Sequence, residues 1–61
     1  MKRRELIRHL TAHSCVLIRE GSDHSWWCNP ATNRRSAVPG HTEINKFLAR
    51  KICRDLCVPP P

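Results

Sequence analysis

Two pieces of turn chemistry, Gly21-Ser22-Asp23 and Pro30-Ala31-Thr32-Asn33, constrain this chain more than any other feature. Glycine supplies positive φ, serine and aspartate bond to nearby backbone, and proline and asparagine interrupt extended runs. Between them lies "HSWWCN"; before them runs "CVLIRE", and after them "RRSAV". Each is short, with β-branched, apolar or aromatic side chains, which is the pattern of a strand. Strands over 15–20, 24–29 and 34–38 joined by loops this short can only pair antiparallel, as a meander. The two-residue period puts His24, Trp26 and Cys28 on one face of the middle strand, and Ser25, Trp27 and Asn29 on the other. In the first strand it sets Val16 and Ile18 against Cys15 and Leu17.

Helical periodicity flanks this meander. Leu6, Ile7 and Leu10 recur at helical spacing within 3–13. Ile44, Leu48, Ile52 and Leu56 repeat every four residues, with Ala49 and Cys53 beside them and Asn45 as N-cap. Lys46, Arg50 and Arg54 form a second row on the outer side of that helix. "VPPP" stops it, because proline cannot continue a helix. The order is α-β-β-β-α. It predicts an α+β domain over residues 1–58, with two helices on one face of a three-stranded antiparallel sheet, and a stiff, frayed proline tail over 59–61. This is the architecture of double-stranded-RNA-binding domains, though fold alone does not fix function.

A chain of 61 residues has a small core and no room for a deep, enclosed site. Its formal charge of +6 favours anionic partners, nucleic acid foremost. Most of the cations, Lys2, Arg3 and Arg4 among them, read as solvated surface. The start "MKRRELIRHL" lacks the apolar run of a signal peptide, and no stretch is long and apolar enough to span a bilayer. The expected compartment is the cytoplasm, with Cys15, Cys28, Cys53 and Cys57 reduced. The pairs Cys53/Cys57 and His9/His13 each lie one helical turn apart, but no C-x-x-C knuckle accompanies them, so small buried thiols are the better reading than zinc. No metal and no cofactor is expected.

Metal-free RNA cleavage needs a base for the 2′-hydroxyl, a route for a proton to the 5′-oxygen, and donors around the phosphate. Histidine titrates near neutrality and suits the first two, while Arg and Lys suit the third. His24, at a strand start just after a turn, is the leading candidate. Ser22 and Ser25 offer hydroxyls beside it, and His41 in "PGHTEI" is a possible second acid. Arg34 and Arg35 at the second hairpin, with Lys46 and Arg50 on the last helix, are candidates to hold RNA. One tryptophan of the pair Trp26-Trp27 belongs to the core; the other is equally compatible with exposure, as a base-stacking platform or an anchor for a protein partner, and with burial under helices and loops. By spacing alone the ordinary position is the better reading for both, a surface residue at a strand start for His24 and a loop residue packed or bonded to backbone for His41.

The whole chain resembles the HicA-type toxins of toxin–antitoxin pairs. The resemblance rests on "ELIRHL", "GSDHSWW", "NPATNRRSAVPGH" and "HTEINKFLARKICRDL". It implies the double-stranded-RNA-binding-like fold, metal-independent mRNA cleavage with His24 as catalytic residue, and a HicB-type antitoxin that binds the toxin and carries any operator-DNA contact. Alternatives on the same fold are a non-catalytic RNA-binding module and an inactive chain that only binds the antitoxin. Two departures stand out. Asp23 occupies a position that is often histidine, where a carboxylate can orient His24 and repels phosphate. Cys57 occupies the position where many members end the last helix with glycine, which predicts a less tightly capped end.

Overall fold

The computed structural model describes all 61 residues. Helix α1 spans Arg3–Ala12, strands β1, β2 and β3 span Val16–Glu20, His24–Asn29 and Arg34–Pro39, and helix α2 spans Lys46–Asp55. The sheet is antiparallel in the order β1-β2-β3. Leu6 and Leu10 of α1 and Ala49, Ile52 and Cys53 of α2 meet Trp27 and Val38 of the sheet, with Cys15, Ile44 and Leu56 closing the cluster. The opposite face of the sheet is open.

Both helices end in the same way. Ser14 has φ 68° and Cys57 has φ 57°, the left-handed conformation. Cys15 N–H donates to the Leu10 carbonyl at 2.9 Å and Ser14 N–H to Thr11 at 3.0 Å; Val58 N–H donates to Cys53 at 2.9 Å and Cys57 N–H to Arg54 at 3.1 Å. This is the paired bonding of a Schellman cap, and Cys15 and Val58, the residues just beyond each cap, fold back on the core. The end of α2 is therefore fully capped, against the looser end that Cys57 predicts. The conformation is met by a residue with a Cβ, at a cost in backbone energy rather than in hydrogen bonds. Asn45 caps the other end, its Oδ1 accepting from Phe47 N–H at 2.8 Å.

Two further expectations need correction. Strand β1 does not alternate: its pairing with β2 steps from Leu17↔Trp27 to Arg19↔Trp26, so Ile18 is an extra residue in a β-bulge. Val16, Leu17 and Ile18 are each 45% exposed, because the helices cover β2 and β3 and leave β1 as an outer edge. Gly21 has no positive φ. What requires glycine there is proximity: a Cβ would stand 2.8 Å from the His24 carbonyl oxygen, which accepts the Gly21 N–H at 2.7 Å. The proline tail is exposed over 59–61, and His9 donates from Nε2 to the Pro59 carbonyl at 2.7 Å.

All four cysteines are free, and Cys15, Cys28 and Cys53 are buried. Burial pushes the Cys15 and Cys53 thiols up, and the neighbouring Cys28 and Cys15 respectively add to the effect. These thiols stay protonated and behave as small apolar groups. Cys57 alone is exposed. No group of three or more His, Cys, Asp or Glu side chains is gathered where it could hold a metal ion.

Candidate active site

The site lies where the β1–β2 turn meets the end of β3. His24 opens β2 opposite Pro39, the last residue of β3. The turn is fastened on both sides: Gly21 N–H donates to His24, and Gly40 N–H donates to the Asp23 carbonyl at 3.0 Å. That second bond brings the segment after β3 against the turn. Ser22, Asp23, His24, Pro39, Gly40 and His41 thereby line one shallow cleft of about 440 Å³. His24 and His41, distant in sequence, share its wall, and both are exposed.

Ser25, the neighbour of His24, faces away from the cleft and is 2% exposed. Its Oγ accepts from Arg3 Nη2 at 2.7 Å and from Trp27 Nε1 at 3.2 Å. Arg3 also donates from Nε to the Pro39 carbonyl at 2.8 Å. One guanidinium thus bridges β2 and β3 at the level of His24, from the helical side. Ser25 supplies the floor of the site and is not open to the cleft.

The cations nearest the cleft are not the ones that sequence reasoning favoured. Lys2, Arg3, Arg4, Gly40 and Thr42 line a second hollow, and Gly40 belongs to both. The start of α1 is held there by Arg3 N–H donating to the Thr42 carbonyl at 2.8 Å and by the Lys2–Glu43 ion pair at 3.1 Å. Arg34 and Arg35 pair with Asn29 and Cys28 at the far end of β2. Asn29, the partner of Arg34, lies five positions along β2 from His24, about 17 Å away. Lys46 and Arg50 lie on α2. Lys46 Nζ sits 5.7 Å from the Phe47 ring centre, and Arg50 joins Phe47, Arg54 and Val58 in a separate groove. Only Ser22, His24 and His41 of the candidate residues come together. The signal that could have found Lys2 and Arg4 is the "KRR" run itself, which looks like any solvated helix start.

A family model described as the HicA toxin of bacterial toxin–antitoxin matches residues 3–57. The chain belongs to the HicA toxin family. The match takes in both helices, all three strands and the whole His24–His41 cleft of this HicA toxin. Membership makes it the toxin component of a toxin–antitoxin system, and so implies an antitoxin partner. No curated protein matches the chain, and no solved structure does. No helix of this HicA toxin is long and apolar enough to cross a membrane.

Proposed function

We propose that this HicA toxin is an endoribonuclease that cleaves mRNA, with His24 as general base on the 2′-hydroxyl and His41 as general acid. The 2′-oxygen attacks the adjacent phosphorus as His24 takes its proton. The 5′-oxygen leaves as His41 gives it one. The products are a 2′,3′-cyclic phosphate and a 5′-hydroxyl, so atoms and protons balance without a metal. The observation that carries this reading is the sharing of one exposed cleft by His24 and His41, with the Lys2–Arg4 hollow adjoining it at Gly40. Imidazoles match the proton transfers at neutral pH, and the cations match the charge that gathers on the phosphate.

In this reading the Ser22 hydroxyl contacts the phosphate, Lys2 and Arg4 hold the backbone beside it, and Arg34 and Arg35 contact RNA farther along the sheet. Lys46 and Arg50, on the other layer, act at most on long or folded RNA. A HicB-type antitoxin neutralises the toxin by covering the cleft.

The test is a purified RNA incubated with the protein in EDTA, the product ends being mapped. Cleavage is expected, with a cyclic phosphate at one end. His24→Ala is expected to lose about 10²–10⁴-fold in rate, the usual contribution of a positioned acid–base group, with its fold unchanged. A His24→Ala protein as fast as wild type would overturn the assignment. RNA that is bound but left intact by the wild-type protein would reduce the function to binding.

A further inference from the structure

His24 and Trp26 stand two residues apart on β2, on the same face, separated by about 6.8 Å along the strand. Their neighbours Ser25 and Trp27 are buried, whereas Trp26 is 39% exposed on the open side of the sheet. The bulge in β1 sets two residues, Ile18 and Arg19, against this one tryptophan. Arg35 approaches from β3, and Ile18, Arg19, Trp26 and Arg35 together line a hollow of about 260 Å³. Neither arginine is in an ion pair; the two pairs in the molecule are Lys2–Glu43 and Lys51–Asp55. An exposed indole therefore lies between two uncompensated guanidinium groups, on the strand face that leads to His24.

The chemistry of that hollow is specific. A flat π surface accepts a nucleobase of any sequence, and guanidinium forks fit phosphate. A protein partner would need acidic side chains at both arginines and an apolar residue over Trp26. A single strand of RNA supplies phosphate and base at the required alternation, and the net charge of +6 draws it in. We infer that the open sheet face is the track for single-stranded RNA, with one base stacked on Trp26 and the flanking phosphates on Arg19 and Arg35, next to the bond presented to His24. This rests on the proposed nuclease reading and adds to it where the substrate lies and that it is single-stranded there.

The experiment uses the full chain carrying His24→Ala, so that RNA is bound without being cut. Single-stranded oligoadenylate and oligouridylate are titrated while indole fluorescence is followed at several salt concentrations. Quenching is expected, stronger with the purine. Adding Trp26→Ala is expected to weaken binding by about 5- to 150-fold, the range for loss of one stacked base, and to abolish the quench. Trp26→Phe, which keeps a ring and guards against a folding artefact, is expected to retain most of the affinity. Replacing Arg19 and Arg35 by glutamine is expected to reduce the slope of log affinity against log salt by about 0.7 for each charge. Unchanged affinity in Trp26→Ala overturns the inference, as does a quench that persists there and so reports Trp27. Failure of this inference and of the nuclease reading are separable by cleavage on a background with His24 intact. Trp26→Ala is expected to raise KM for single-stranded RNA, with Trp26→Phe close to wild type. Equal KM in Trp26→Ala and wild type removes the track and leaves the nuclease. RNA bound through Trp26 but never cut removes the nuclease and leaves the track. Absence of RNA binding, with antitoxin binding lost in Trp26→Ala, makes the face a protein interface and overturns the inference.

Discussion

Arg3 Nη2 donates a 2.7 Å hydrogen bond to Ser25 Oγ, joining the start of α1 to the residue that follows His24 in β2. The same oxygen accepts from Trp27 Nε1, and the same guanidinium reaches the Pro39 carbonyl. Removing the hydroxyl leaves two donors without a partner in a largely buried place. Ser25→Ala is expected to destabilise the fold by about 1–3 kcal/mol, the cost of stranding buried polar groups. In a domain of this size that lowers the melting midpoint by several degrees per kcal/mol. Ser25→Thr, which keeps the oxygen, is expected to recover part of the loss. A Ser25→Ala midpoint equal to wild type would show that the Arg3–Ser25 bond does not fasten β2 to α1.

Ser14 and Cys57 hold left-handed backbone at the two helix ends with side chains that disfavour it. Glycine adopts that conformation without steric cost, though it also raises the entropy of the unfolded chain. Cys57→Gly is expected to stabilise by up to about 1 kcal/mol. Ser14→Gly should act in the same direction, and because the two caps lie on different helices the effects should add. Denaturant unfolding midpoints of the single and double variants check this. Cys57→Ala keeps the Cβ and is expected to give no such gain.

The two cation groups should separate in kinetics. Lys2 and Arg4 line the hollow that adjoins the His24–His41 cleft, whereas Arg34 and Arg35 sit at the opposite end of the sheet. Lys2→Gln with Arg4→Gln is expected to slow cleavage of a dinucleotide and of long RNA alike. Arg34→Gln with Arg35→Gln is expected to spare the dinucleotide and raise KM for long RNA. Both effects should shrink as salt rises, because phosphate contacts are screened. Equal effects on the dinucleotide would show that both groups act at the same phosphate.

Much of this arrangement is legible in the sequence. The four-residue recurrence from Ile44 to Leu56 marks α2, and the two turn segments mark the meander, because both signals are local. The position of His24 at a strand start follows from them. What escapes is whatever depends on partners far along the chain. Arg3 reads as solvated because its acceptor Ser25 lies 22 residues away, and nothing near it announces a buried bond. The bulge at Ile18 is invisible in "CVLIRE", since a run of apolar residues has no alternation from which a slipped register would show. Gly21 is recognisable as a turn residue, but the reason it is needed is a carbonyl three residues away, not its own torsion angle.

Asp55 gives a pH dependence whose sign is fixed. Its Oδ2 accepts from Lys51 Nζ at 2.8 Å and from Ser36 Oγ at 3.3 Å, linking α2 to β3. The hydrogen bond from Lys51 is the main cause holding its carboxyl below the usual value, burial opposes it, and the Lys51 charge, Ser36 and Arg54 assist. A carboxylate depressed in the folded state binds fewer protons there than in the unfolded chain. Its stabilising contribution is therefore complete above about pH 5, well over the ordinary aspartate value of about 3.9. It declines as pH falls below that value and is lost once pH passes through the folded one. The pair is partly solvated, so the contribution is small, as for most surface ion pairs. Unfolding free energy measured from pH 7 to pH 2 should fall less steeply below pH 4 in Asp55→Asn than in wild type. The variant should also be less stable at pH 7, where the wild-type carboxylate is fully engaged. Identical acid limbs for the two proteins would assign the acid sensitivity to other carboxylates and remove Asp55 from it.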